Sequence, residues 1–450
     1  MTWVQRINFQ QIKEYIALGE FAPIDNLFDD IQAADIAEIL AMLDPEERHV
    51  LFTRLDQEAG ARVFENLEPR EQKTLLIALG PTRAREILGE MYSDDIADFI
   101  GELNPQQAQA VLGLMADEDA QEIRELLVYP DTSAGGLMTT EFISLEQDKT
   151  VDDAISAIRK CLTSESVYYV YVTARQRLTG VVSLRQLILA SPQTHLRDIM
   201  EDNIISVSAE LDQEEVARLL SKYDLLAIPV VTDKKEILGL VTVDDVLDVL
   251  SEEATEDISK FGGSQPLDEP YLSASVFSMF KKRVGWLLVL FVAQAFTSSI
   301  MKFYGHVLDT VVALTFFIPL LIGIGGNAGS QATTLVIRGM AVGEINFKHW
   351  ARVFSKELLV GLSLGVVMGT VTFLRALMMG ESPMLGLTVT ITLVSIIIMA
   401  VLAGSLLPMA LKRFKIDPAV VSGPFITTFI DTVGLLIYFT VAARLLVVGR

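Results

Sequence analysis

The spacing of apolar positions changes twice along the chain. Up to about residue 130 they recur at three- and four-residue intervals in short stretches with almost no alternation, which predicts amphipathic helices stacked in series. Three helix starts look alike: LDPEER (43–48), LEPREQ (67–72) and LNPQQA (103–108). Asp44 and Asn104 fit N-caps, a proline follows at the first helical position, and Glu47, Glu71 and Gln107 fit the third. Between 138 and 250, short β-rich runs alternate with helical ones. After Lys281-Lys282-Arg283 come five apolar segments, roughly 284–304, 308–337, 354–379, 386–411 and 419–448. At about 1.5 Å per helical residue each can cross the roughly 30 Å hydrocarbon core of a bilayer, and the longer ones should tilt or kink.

The middle region is an internal duplication with a period near 60. Met138-Thr139 pairs with Met200-Glu201, Val151-DDAISAIRK with Gln213-EEVARLLSK, YYVYV (168–172) with AIPVV (227–231), and Gly180-VVSLRQLI with Gly239-LVTVDDVL. Each copy predicts strand, helix, strand, strand, helix. The recurrence resembles a tandem of CBS domains. The resemblance implies a cleft for an adenine nucleotide such as ATP, with an Asp after the Ser/Thr of the closing motif on the ribose. Asp245 holds that place in the second copy, but Gln186 holds it in the first. Tyr168 and Arg185 are candidates to stack on and clamp the nucleotide. The alternative is that Tyr168, Tyr169 and Tyr171 only pack a strand.

Charge separates the chain more sharply than length does. From Val276 onward there are 14 Lys and Arg against 6 Asp and Glu, or +8; the first 275 residues hold 22 bases and 52 acids, or −30, giving the formal −22 overall. An acidic module of that kind repels itself and is relieved by cations; nucleic acid and anionic lipid are poor partners for it. The start, MTWVQRINFQQIKEYI, lacks a basic stretch followed by an apolar core, so no signal peptide is expected. Cys161 is the one cysteine, so no intrachain disulfide forms, and the four histidines lack metal-ligand spacing. With the N-terminus in the cytoplasm, ten Lys and Arg flank the inner ends of the five segments and four flank the outer ends, which predicts an external C-terminus.

Asp431 sits near the middle of the last apolar segment, with no other charge within ten residues. A carboxylate there costs about 2.5–3.5 kcal/mol on insertion scales, so it is expected to face a cavity, a partner or an ion; the alternative is a protonated Asp bonded between helices. The second segment reads FFIPLLIGIGGNAGSQATTLVIR. Its Pro319, Gly325, Gly326, Asn327 and Gln331, echoed by Gly423, Pro424, Thr427 and Thr428 before Asp431, predict a pore-lining or broken helix. Ordinary packing by small and amide residues is the alternative. Two further acidic groups lie outside the apolar segments. The connector VDDVLDVLSEEATEDISKF (243–261) places Asp245, Asp248, Glu252 and Glu256 on one helical face, thickened by Asp244, Glu253 and Asp257, with no base between Lys235 and Lys260. It reads either as a cation sensor or as an acidic linker. Asp94, Asp95 and Asp98, Asp212, Glu214, Glu215 and Asp224, and Asp417 complete the set of acids. Carboxylates without His or Cys suit Mg²⁺ or Ca²⁺.

The full order of parts, together with PLLIGIGGNAGSQATT and GPFITTFIDTVGLLIY, resembles the MgtE family of magnesium channels and transporters over essentially the whole chain. The fold expected is a multidomain membrane protein. Residues 1–130 form an all-α superhelical cytosolic domain and 131–250 a tandem of α/β CBS domains (about 138–199 and 200–250). An acidic connecting or plug helix follows over 251–275, and 276–450 form a five-helix membrane domain. The resemblance implies a homodimer in the cell membrane, with Asp431, Thr427 and Asp417 along the ion path. It implies regulatory Mg²⁺ on Asp94, Asp98, Asp212, Glu214, Asp224, Asp245, Asp248, Glu253, Glu256 and Asp257, closing the path as cytosolic Mg²⁺ rises. One departure is Arg62, where an acid is expected; Glu65 is the nearest substitute. Rival readings are a divalent sensor that does not conduct, a relative that passes Co²⁺ or Mn²⁺, a transporter for another solute, and an intramembrane aspartyl protease. The protease needs paired carboxylates, and only Asp431 lies deep.

Overall fold

The computed structural model describes residues 9–160, 168–267, 271–272 and 274–447. Cys161, the first eight residues and Arg450 lie outside the described residues. The chain forms two compact units that meet in sequence at Ser251 and Glu252.

The first unit opens with a series of short helices from Phe9–Leu18 to Asp117–Leu126. All three predicted starts are present. Asp44 and Glu47 form a capping box at Pro45–Phe52, and Asn104 accepts from the Gln107 N–H at 3.0 Å. At LEPREQ Glu68 is the N-cap, and Glu71 instead takes the buried Arg48 guanidinium at 2.9 Å. Arg48 also donates to the Leu40 carbonyl at 2.9 Å, so one buried cation ties three helices together. Phe52, Phe64 and Phe99 meet edge to face in the core between the helices.

Two three-stranded sheets follow. One is β1 (Ser144–Glu146), β2 (Tyr169–Ala174) and β3 (Arg177–Ser183); the other is β4 (Val207–Ser208), β5 (Ala227–Val231) and β6 (Ile237–Thr242). In each, the first pair is parallel and the second antiparallel. The duplicated Met-x pairs explain the period: Thr139 bridges Leu240 of the second sheet, and Glu201 bridges Val181 of the first. Each copy therefore lends its leading segment to the other. Met138 fits against Gly239 and Met200 against Gly180, where a Cβ would meet Met200 Sδ at 2.2 Å. Val207, Val216, Ile228, Val246 and Val249 of the second copy share one apolar core with the N-terminal helices.

The connector helix runs Val243–Phe261. It starts inside the second copy and stops earlier than the 251–275 expected, because Gly262-Gly263 ends it. Gly263 has φ +74°, and a side chain there would collide with Trp286.

Five helices in the second unit are long and apolar enough to cross a membrane: Val276–Phe303, Val312–Ala341, Phe347–Met378, Pro383–Arg413 and Gly423–Leu446. The third and fourth pack most extensively, with Gly361, Gly365 and Gly369 in a row against Ile398, Val394 and Thr390. Polar clips join the first span to the fifth. Trp286 Nε1 donates to Ser422 Oγ at 3.2 Å, Thr297 and Thr432 hydroxyls meet at 2.8 Å, and Tyr304 meets Thr440 at 3.2 Å. Their constant sequence offset means that the two helices run parallel.

Candidate functional site

Ser422 caps the fifth span by accepting from the Phe425 N–H at 3.3 Å, and Pro424 sits in the first turn where its missing donor costs nothing. Thr427 and Thr428 turn their hydroxyls back onto the Gly423 and Pro424 carbonyls, each at 3.0 Å. One turn on, Asp431 is half-buried, and the side-chain amide of Gln294 on the first span hydrogen-bonds to it. Gln294 was not among the expected residues. Its signal was a lone amide closing the ten-residue apolar run Val284–Ala293.

The second span behaves differently from a broken helix. It is continuous over Ile318–Ala341, with Pro319 in its first turn. Gly325 is buried against Ile396 and Ile430, and Gly326 against Thr427, so these two take the packing role. Gly329 and Gly404 approach so closely that Thr333 reaches the carbonyls of both, at 3.0 Å each. The opposite face is another matter. Pro319, Gly323, Asn327, Gln331, Thr334 and Arg338 are all exposed within a single chain, forming a mostly polar stripe along a membrane helix. Hydrocarbon is a poor neighbour for two primary amides, so that stripe calls for water or a second protein surface.

At the inner end of the fifth span, Asp417 Oδ1 accepts from the Ala419 N–H at 2.8 Å. Its Oδ2 accepts from Lys260 Nζ at 2.7 Å, and the same ammonium lies 2.5 Å from Glu256 Oε1. Burial followed by the charges of Asp417 and Glu253 pushes the Asp257 carboxyl above its usual range. Glu253, Glu256 and Asp257 thus face the same group as Asp417, and Lys260 belongs to it.

The first half of the connector joins a second acidic group, inside the first unit. Asp95, on helix Ser93–Gly101, is raised to about 6 by burial and by the charges of Asp245, Asp244 and Asp248. Burial, then Asp95 and Glu141, raise Glu65 to about 7, with Arg62 opposing. Burial, then Glu122, Asp95 and Asp119, raise Glu141 to about 7. Glu65 thus lies within reach of the Asp95 and Glu141 charges, while the Arg62 side chain bonds Glu58. On the same helix as Asp95, Asp94 is buried and Asp98 is exposed. Asp212 and Asp224 cap opposite ends of Gln213–Tyr223, Asp212 accepting from the Glu214 N–H at 3.0 Å. At about 1.5 Å rise per residue those ends are too far apart to share an ion within one chain. Among the described residues, no three or more His, Cys, Asp or Glu side chains converge tightly enough to hold a metal.

A pocket of about 480 Å³ in the first copy is lined by Tyr169, Val181, Ser183, Arg185, Gln186, Leu189 and Glu201. Arg185 is there as expected, but the aromatic wall is Tyr169, and Tyr168 is exposed outside it. Gln186 accepts from Ser183 N–H at 2.7 Å and donates to the Ile199 carbonyl at 3.3 Å, so its amide caps a helix. Asp245 does the same for Thr242 in the second copy, accepting from both its N–H and its hydroxyl.

Comparison with known proteins finds matches to the N-terminal helices, both copies of the duplication and most of the membrane helices. Residues 318–441 match the family model described as "Divalent cation transporter", residues 31–132 the MgtE intracellular N domain, and residues 134–192 and 196–252 the CBS domain. The chain is 42% identical over 327 residues to a magnesium transporter, MgtE, of Thermus thermophilus and 36% identical over 326 residues to that of Bacillus subtilis, in each case over 72% of both proteins. Its first unit is similar to the crystal structure of the soluble part of a magnesium transporter (36% identity, TM-score 0.51, 55% of this chain and 98% of the other). It is similar to the same extent to the cytosolic domain of the Mg²⁺ channel MgtE in complex with ATP (36% identity, TM-score 0.51, 54% and 99%).

Proposed function

The chain belongs to the MgtE family, and from that premise we propose that it carries Mg²⁺ across the cell membrane as a homodimer. The observation that carries this reading is the pairing of a mid-span carboxylate, Asp431, with an exposed polar stripe on the second span. Two copies placed stripe to stripe cover Asn327 and Gln331 and bring two Asp431 side chains to one axis. Mg²⁺ sheds water reluctantly and is usually held through one or two carboxylates, which suits such a pair acting on a largely hydrated ion. Thr427, Thr428, Gly423 and Pro424 form the turn leading to Asp431, and Asp417 stands at its cytosolic end. A negative interior drives a divalent ion inward by about 4.6 kcal/mol per 100 mV, so no hydrolysis step is required.

Closure by cytosolic Mg²⁺ follows from the two acidic groups. Without cations, Glu65, Asp95, Glu141, Asp245 and Asp248 repel, as do Glu253, Glu256, Asp257 and Asp417; with Mg²⁺ they draw together and the path shuts, a population shift toward the bridged form. Hard carboxylate oxygens fit that ion. The pocket beside Arg185 is the place for ATP to modulate this balance, with Tyr169 as its aromatic wall. The cytosolic N-terminus and external C-terminus follow from the ten-to-four distribution of bases around the spans.

The test is Mg²⁺ uptake into proteoliposomes. Asp431→Asn should abolish uptake while leaving the purified protein folded and monodisperse. Normal uptake by this variant removes Asp431 from the path, and no uptake by the unaltered protein favours a sensor that does not conduct.

A further inference from the structure

Lys260 is the first base after a run of acids, and its position is specific. Its Nζ lies between two carboxylates that are far apart in sequence, 2.5 Å from Glu256 and 2.7 Å from Asp417. Glu256 is one turn back on the connector helix, so that contact is local; the bond to Asp417 ties the end of the connector to the start of the fifth span. Both oxygens of Asp417 are thereby engaged, one by the Ala419 N–H and one by the ammonium. The surrounding acids, Glu253 and Asp257, leave the group strongly negative even with Lys260 in place.

We propose that Lys260 is a tethered cation that fills the inner-mouth carboxylates, and that a divalent ion must displace it to bind there. This rests on the reading that Asp417 and Glu256 take cytosolic Mg²⁺. An ammonium supplies one charge and at most three hydrogen bonds, whereas a divalent cation neutralises two carboxylates at once. Lys260 therefore keeps the connector docked without blocking exchange, and it sets the concentration at which the divalent takes over. The ion pairs are each about one-third exposed, so the competition is a matter of severalfold, not of orders of magnitude.

The experiment is a cytosolic Mg²⁺ titration of channel closure in the full-length protein, comparing the unaltered chain with Lys260→Met and Lys260→Arg. Lys260→Met should close at about three- to tenfold lower Mg²⁺, the scale of one or two partly exposed ion pairs, while Lys260→Arg stays near the unaltered value. A second measurement needs no variant: acylation of Lys260 in the unaltered protein, read by mass spectrometry against Lys13, should rise as Mg²⁺ is added and frees the amine. A threshold that is unchanged or higher in Lys260→Met overturns the proposal, as does acylation indifferent to Mg²⁺. Absence of Mg²⁺-dependent closure in the unaltered protein defeats the feedback reading instead, and the acylation measurement still reports whether Lys260 yields to the ion.

Discussion

Two acidic groups in this molecule draw on the same connector helix and solve their repulsion differently. In the first unit, Asp95 feels the charges of Asp244, Asp245 and Asp248, and Glu65 those of Asp95 and Glu141; Arg62 opposes them at Glu65 while its guanidinium bonds Glu58. In the second, Glu256 and Asp417 share the ammonium of Lys260, with Glu253 and Asp257 beside them. In the first group burial, and then neighbouring carboxylates, raise Glu65 and Glu141 to about 7 and Asp95 to about 6. The second answers with a fixed charge of its own. An acidic surface is thus no single device: in the first group burial and neighbouring charge raise the carboxyls, whereas in the second an ammonium pairs with two of them.

The largest effect is expected in the first group, where burial and the charges of Asp245, Asp244 and Asp248 raise Asp95. Neutralising Asp95, Asp245 and Asp248 together to Asn should make the first unit as resistant to proteolysis without Mg²⁺ as the unaltered protein is with saturating Mg²⁺. The response to Mg²⁺ should flatten, because both the repulsion and the ligands that relieve it are gone. A protection curve that still rises with Mg²⁺ as in the unaltered protein would break the contrast, since these acids would then be ordinary surface.

A middle-sized effect follows from protons. Glu65 and Glu141 titrate near 7 and Asp95 near 6 in the assembled unit, all above the ordinary carboxylate range. A raised carboxyl pKa means that the assembled form binds more protons than the separated one, so stability increases as pH falls through 7 and is lost as it rises past that value. In chelator, the melting temperature of the first unit should therefore climb by a few degrees between pH 8 and pH 5.5. Glu65→Gln with Glu141→Gln should remove most of that slope.

Much of this was legible in the sequence, for identifiable reasons. Helix starts with a capping residue and a proline, a duplicated Gly-x-Val-Ser/Thr motif and five apolar runs are local signals, and they mark the parts without knowledge of contacts. Facing residues were harder. Asp94, Asp95 and Asp98 are chemically alike, and the sequence does not say that Asp95 lies within reach of the Asp245 charge. Gly325 and Gly326 looked like openings in a helix, but Ile396, Ile430 and Thr427 fill the space beside them. Gln294 and Lys260 escaped notice because each gains its meaning from a partner more than 130 residues away, which no spacing rule records.

The smallest predicted effect sharpens the contrast at Arg62. This base opposes the crowding at Glu65 without bonding it, and it is exposed, so its influence is screened. Arg62→Ala should raise the apparent pKa of Glu65 slightly and move the midpoint of the pH-dependent melting upward by a few tenths of a unit, on the order of the coupling expected between exposed charges. The shift should vanish in high salt, whereas the bonded Lys260 pairs should hold. A midpoint that moves as far as a whole unit, or one that resists salt, would mean that Arg62 serves the first group as Lys260 serves the second. The two regions would then share one design instead of two.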